Sequence, residues 1–129
     1  MHEASLVTAL LARVEAEAAA RGAARVHRVE VVLGELAGVE PAQMLAAWEV
    51  FRARTRCEGA ALVLTVEAAR WQCPRCGAEV PRGGFLTCAP CAVPARLRAG
   101  GEATLQRIEM EIDDDEAPAE TAAAEVCHV

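Results

Sequence analysis

The sequence contains neither lysine nor tyrosine. Without lysine there is no Walker A phosphate loop, which needs a Gly-Lys-Ser/Thr run to reach the β- and γ-phosphates. Any nucleotide hydrolysis tied to the function must therefore come from a partner. Aromatic side chains are scarce too: Trp48, Phe51, Trp71 and Phe85 are the whole set. No apolar run approaches the ~20 residues that span a bilayer. The first residues also lack the basic stretch and apolar segment of a secretory signal. The expected location is the cytoplasm, where thiols stay reduced, so the six cysteines are expected as metal ligands or free thiols rather than disulfides. His2-Glu3 is not a zincin motif, because position 6 is Leu rather than His. No nucleophile–base pair is suggested, and the chain reads as a non-enzyme.

Charge is distributed unevenly over the 129 residues. Residues 1–112 hold all 13 arginines and 13 of the 19 acids, so the body is formally neutral. The last 17 residues carry Asp113, Asp114, Asp115, Glu116, Glu120 and Glu125 with no base, and the net charge of −6 belongs to them. That stretch has no apolar periodicity, and residues 113–129 are expected to form an acidic disordered tail.

Upstream, the periodicity predicts two helices and three strands. Leu6, Val7, Leu10, Leu11 and Val14 recur at helical spacing within residues 4–21, and Gly22 is placed to end that helix. Val29, Val31 and Leu33 alternate toward Gly34 as a strand. Glu40-Pro41 opens a second helix, since proline suits the first helical position, and Met44, Leu45, Trp48 and Phe51 form its apolar stripe. A second strand is expected over Ala60–Ala68 and a third over Thr104–Ile112, the latter with Ile108, Met110 and Ile112 on one face. The expected fold is α+β, a three-stranded sheet covered by two helices, interrupted by a cysteine-rich insert. Residues 1–69 and 102–112 would form the α+β domain and residues 70–101 an inserted zinc-binding module. Gly100-Gly101 is expected to be a flexible joint on the return path.

Cys73-Pro74-Arg75-Cys76 and Cys88-Ala89-Pro90-Cys91 make a C-x2-C…C-x2-C pattern. Two residues between cysteines let a tight turn aim both sulfurs at one ion, and two such turns complete a tetrahedron suited to Zn2+. Four protein thiolates leave no open position, so the site is structural. The insert has few apolar residues, and metal binding worth about 10–16 kcal/mol would hold it together. Gly77 helps the first turn, whereas Ala92 stands where a second glycine is expected. Redox-active CxxC pairs, or simply free cysteines, are the alternative reading.

The chain opens Met1-His2-Glu3. The terminal amine, the His2 amide nitrogen once deprotonated, and an imidazole nitrogen can reach one ion together. Glu3 offers a fourth donor, and nitrogen-rich square-planar sets suit Ni(II) or Cu(II).

This tripeptide leads into an amphipathic helix. Gly34-Glu35-Leu36, Val39-Glu40-Pro41, the Trp48–Phe51 helix, the paired C-x2-C insert and a strand around Ile108-Glu109-Met110 follow in order. The whole closely resembles the HypA/HybF family of hydrogenase nickel-incorporation proteins. The resemblance implies that His2 is the essential nickel ligand, with Met1 and Glu3 contributing, and that Cys73, Cys76, Cys88 and Cys91 bind zinc. It implies a metallochaperone that works with a maturation GTPase and delivers nickel to the large subunit of [NiFe]-hydrogenase. In some members the client is the urease machinery. Ala92 and the tail bearing Cys127-His128 depart from the family pattern, and residues 70–101 contain no histidine to serve as a further ligand.

Simpler roles are expected elsewhere. His27 reads as a surface or half-buried histidine, Cys57 as a free thiol in a loop, and Arg52, Arg54 and Arg56 as a solvated helix end. The competing functions are a zinc-ribbon nucleic-acid-binding module and a protein adaptor that handles no nickel. Arg70, Arg75, Arg82, Arg96 and Arg98 outnumber Glu79 in the insert, which favours the former. The acidic tail, the neutral body and the shortage of stacking residues oppose it, so no nucleic-acid partner is expected.

Overall fold

The computed structural model describes residues 2–112, 120–122 and 127–128, with backbone alone at residue 2 and at the two last stretches. Helix α1 (His2–Ala20) buries Val7, Leu10, Leu11, Val14 and Ala18 along one stripe. Gly22, at φ 69°, closes it through an N–H donated to Ala19 O. Strand β1 (Ala23–Gly34) follows at once, and begins six residues before the expected Val29.

The early start was concealed by irregular pairing. β1 runs antiparallel to β8 (Ala103–Ile112), but the register shifts at Ala24, at His27 and, on β8, at Gln106. Each bulge adds a residue to one strand, so buried Ala23, Val26 and Val29 are spaced by three rather than two. A search for strict alternation finds only the regular half, Val29–Leu33.

Helix α2 (Pro41–Phe51) carries the chain from β1 to β2 (Ala61–Glu67), which lies parallel to β1. Parallel neighbours need such a crossover. The three long strands lie in the order β8-β1-β2. Both helices pack with one face of this sheet, around Val26, Val29, Val31, Leu33, Met44, Trp48, Leu105, Ile108 and Met110. Trp48 is buried and satisfies its indole by donating Nε1–H to Ala60 O at 2.9 Å. The opposite face is solvated and laced with ion pairs such as Arg28–Glu30 at 2.9 Å.

Two short tail segments, β9 (Glu120–Ala122) and β10 (Cys127–His128), run antiparallel along the free edge of β8. They widen the expected three-stranded sheet to five. The disorder expected over 113–129 otherwise concerns residues outside those described.

The insert leaves the sheet after β2 and folds on itself. β3 (Arg70–Gln72) is flanked by β4 (Glu79–Val80) and β7 (Arg96–Ala99), while β5 (Thr87–Cys88) pairs with β6 (Val93–Pro94). A small second core gathers Cys73, Val80 and Cys88 with Trp71, Cys91, Val93 and Ala95 against them.

Its two connections cross over the end of β1 and are tied there. Gly34 N–H donates to Glu102 O, Glu35 N–H to Glu67 O, and Leu36 N–H to Gly100 O at 2.7 Å. Gly100 is not the loose joint expected of it. It sits at φ 90°, and a Cβ on it would lie 2.7 Å from Ala69 Cα. Glycine is present here for close backbone packing rather than for mobility.

Candidate metal centre

Cys73 leaves the end of β3, Cys76 closes the turn that follows, Cys88 ends β5, and Cys91 closes the turn into β6. The two turns are built alike. Gly77 N–H donates to Cys73 O at 3.0 Å, and Ala92 N–H donates to Cys88 O at 2.7 Å. Each closing residue is left-handed, Gly77 at φ 79° and Ala92 at φ 56°. The departure noted in the sequence is therefore real at the backbone, because alanine holds a conformation that costs a non-glycine residue about 1–2 kcal/mol.

The four sulfurs lie within 4.8 Å of one another. Cys76 Sγ and Cys88 Sγ are 3.7 Å apart. Ligands about 2.3 Å from a tetrahedral Zn2+ are separated by about 3.8 Å, so the cluster fits zinc. The electrostatics agree. Backbone N–H groups of Cys76 and Arg75 aim at Cys73 Sγ at 3.4 and 3.3 Å and hold its pKa down to about 6. Cys91 is pushed up to about 12, first by its contact with the Cys76 thiol and then by burial. Sulfurs this close resist sharing negative charge unless a cation joins them. The five cysteines with described side chains are all unbridged.

His2 opens α1 and Glu3 lies in its first turn. Met1 and the His2 side chain lie outside the described residues. Glu3 Oε2 accepts the backbone N–H of Glu40 at 3.1 Å. Glu40 is the N-cap of α2 and has no side-chain cap of its own, so Glu3 caps the neighbouring helix. That bond is the largest cause holding the Glu3 carboxyl down to about 2. A residue singled out as a ligand thus also anchors the start of α1 to the Val39-Glu40-Pro41 turn.

The remaining candidates separate from both centres. His27 occupies a bulge on the solvated face, with Nε2 at 2.9 Å from Glu111 Oε1. Cys57 is fully buried, and burial pushes its thiol up to about 12, so it is chemically quiet. The arginine cluster is less solvated than expected. Arg52 donates to Ala60 O at 2.6 Å and Arg56 to Ala23 O at 3.0 Å, and Arg56 also pairs with Glu15.

Sequence reasoning missed the residues that orient the insert. Arg82 donates through both terminal guanidinium nitrogens to the two carboxylate oxygens of Glu35, at 2.7 and 3.0 Å. These residues are 47 positions apart, and no periodic signal links them.

The family model described as "Hydrogenase/urease nickel incorporation, metallochaperone, hypA" matches residues 1–110. The chain belongs to the HypA family. The HypA hydrogenase maturation factor of Wolinella succinogenes is 42% identical over 118 residues, covering 89% of this chain and 99% of the relative. That of Aquifex aeolicus is 32% identical over 115 residues, covering 88% and 100%. The solution structure of the Ni metallochaperone HypA from Helicobacter pylori superposes with a TM-score of 0.69 at 26% identity, over 86% of this chain and 98% of that one. A second HypA solution structure gives a TM-score of 0.72 at 28% identity, over 85% and 96%. HypA proteins are metallochaperones, carriers rather than enzymes, and they serve hydrogenase maturation. The acidic tail begins beyond the segment that the family model matches. Among the described residues, no helix is long and apolar enough to cross a membrane.

Proposed function

We propose that this chain is a nickel metallochaperone that binds Ni(II) at its N-terminus and delivers it during maturation of [NiFe]-hydrogenase. His2 is the principal ligand, with Met1 and Glu3 contributing, and zinc occupies Cys73, Cys76, Cys88 and Cys91 as a structural ion. Residues 1–69 and 102–112 form the nickel-handling domain and 70–101 the zinc module, with 113–129 an appended acidic tail. The partners are a maturation GTPase and the hydrogenase large subunit, with urease machinery as an alternative client, and the work is done in the cytoplasm. The observation that carries this reading is the family match, which begins at residue 1 and so includes Met1-His2-Glu3. The bond from Glu40 to Glu3 supports it, because a terminus pinned to a turn loses less freedom on binding a metal.

The test is nickel binding by untagged protein. His2→Ala should abolish tight binding while zinc content and fold persist, since residue 2 only opens α1. An N-terminal tag should weaken binding even with His2 present, because it converts the terminal amine to an amide. Affinity should fall below about pH 6, as protons compete for imidazole and amine. A His2→Ala protein that binds one nickel as tightly as the parent would remove the site from the proposal.

A further inference from the structure

Five arginines lie in the zinc module, and the structure divides them into two groups. Arg70 pairs with Glu79 at 2.7 Å and Arg82 with Glu35 at 2.7 Å. Arg75, Arg96 and Arg98 are exposed, make no ion pair at contact distance among the described residues, and line one open cleft of about 480 Å³ beside the first cysteine turn. Gln72 and the first cysteine turn, Cys73 to Gly77, complete its lining. The placement follows from the backbone. Arg75 stands in the turn at the end of β3. Arg96 is the partner of Gln72 on β7, and Arg98 is the extra residue where the β3–β7 register shifts. A bulge re-aims a side chain that regular pairing would fix elsewhere.

Three like charges around one concavity repel one another and need a counter-charge. A four-thiolate zinc centre, two of whose cysteines line the cleft, would supply about two negative charges, which leaves about one of the three positive charges uncompensated. We infer that this cleft binds an acidic peptide segment of another protein, with the guanidinium forks of Arg75, Arg96 and Arg98 taking its carboxylates.

Carboxylate is favoured over nucleic acid for two reasons. Bidentate arginine recognition fits planar carboxylates as well as phosphates. A polyphosphate strand extending past so small a cleft would meet a formally neutral body and a tail of six acids, and no aromatic side chain lines the cleft for stacking. The run Asp113–Glu116 follows Ile112, and the ten residues of β8 put about 33 Å between that end and Ala103. β10 returns the later tail to Thr104, so tail removal tests whether its glutamates compete for the cleft.

The test is a titration of zinc-loaded full-length protein with blocked hexaglutamate at low salt. A hexathymidylate oligonucleotide of similar charge serves as comparison. The peptide should bind, weaken steeply with salt, and bind more tightly than the oligonucleotide. Arg75→Gln and Arg96→Gln should each weaken it by about threefold or more, with Arg75→Lys retaining part of the affinity. Arg70→Gln, which touches only the paired group, should change it by less than about twofold. Removing residues 113–129 should likewise leave the affinity within about twofold. Tighter binding of the oligonucleotide, equal binding by the glutamine variants, or a tenfold gain on tail removal would overturn the assignment. Loss of zinc from the glutamine variants would do so too, because the arginines would then be neutralising the metal centre rather than receiving a ligand.

Discussion

Arg82 of the zinc module grips Glu35 at the end of β1 through both terminal guanidinium nitrogens, and Glu35 Oε1 also accepts the Ala69 N–H at 2.8 Å. One carboxylate therefore joins the sheet, the outgoing connection and the module. Both side chains are substantially exposed, so solvent screening leaves the pair little effect on stability. Its effect should be seen in orientation instead. Arg82→Gln should leave zinc content unchanged but broaden the distribution of module orientations, as read by residual dipolar couplings. Couplings identical to the parent's would show that the backbone bonds at Gly34–Leu36 suffice.

The same pair predicts a pH dependence. Arg82 is the largest cause holding the Glu35 carboxyl down to about 2, below its ordinary 4.5. A depressed carboxylate contributes fully above the unfolded value and loses its contribution as pH falls through the folded one. The stability difference between the parent and Arg82→Gln should be constant above about pH 5 and shrink between about 4.5 and 2. A difference that grows on acidification would reverse the sign.

Zinc should be stoichiometric at about one per chain, given four thiolates and no open position. Cys73→Ala or Cys91→Ser should unfold residues 70–101 while the sheet survives, because β1, β2 and β8 pair outside the insert. Hydrogen exchange resolves the two regions. Protection persisting across 70–101 in zinc-free protein would contradict this.

Ala92→Gly should stabilise the module by about 1 kcal/mol. Relief of the left-handed alanine exceeds the added freedom of glycine in the unfolded chain. Competition with a chelator should show slower zinc loss than in the parent.

Gly34→Ala and Gly22→Ala should differ sharply. A Cβ at Gly34 would fall 2.4 Å from Gly100 C and O, backbone atoms that cannot swing aside, and about 2 kcal/mol or more should be lost. At Gly22 nothing lies within 4 Å, so only the left-handed φ of 69° is penalised, at about 1 kcal/mol. Denaturant midpoints of the two variants would compare them directly, and equal losses would remove steric crowding as the cause.

The helices and the cysteine cluster were legible because each follows from local chemistry. Val7, Leu10, Leu11 and Val14 repeat at the helical period, Pro41 marks a helix start, and paired C-x2-C turns define their own geometry. The first half of β1 was not legible, since the bulges at Ala24 and His27 break the alternation by which a strand is recognised. Parallel pairing of β1 with β2 was also hidden, because strand direction depends on the path of α2 rather than on composition. Glu35–Arg82 and Glu3–Glu40 are contacts between distant segments, which single-residue patterns cannot announce. Arg52 and Arg56 looked solvated because charge suggests exposure, yet their guanidinium groups reach back to the carbonyls of Ala60 and Ala23.

The pairing of β3 with β7 has a kinetic consequence. β8 cannot dock on β1 until the chain between Glu67 and Ala103 has returned, and as a free loop that is roughly 35 residues to close. Once Arg70 and Ala99 are held together within the module, the flexible span shrinks to roughly 5 residues. The loop-closure cost then falls by about 1.7 kcal/mol, enough to speed sheet completion by roughly twentyfold if closure limits the rate. Zinc that knits the module early would act as a clamp on the folding path, and refolding started with the metal present should outpace refolding to which it is added late.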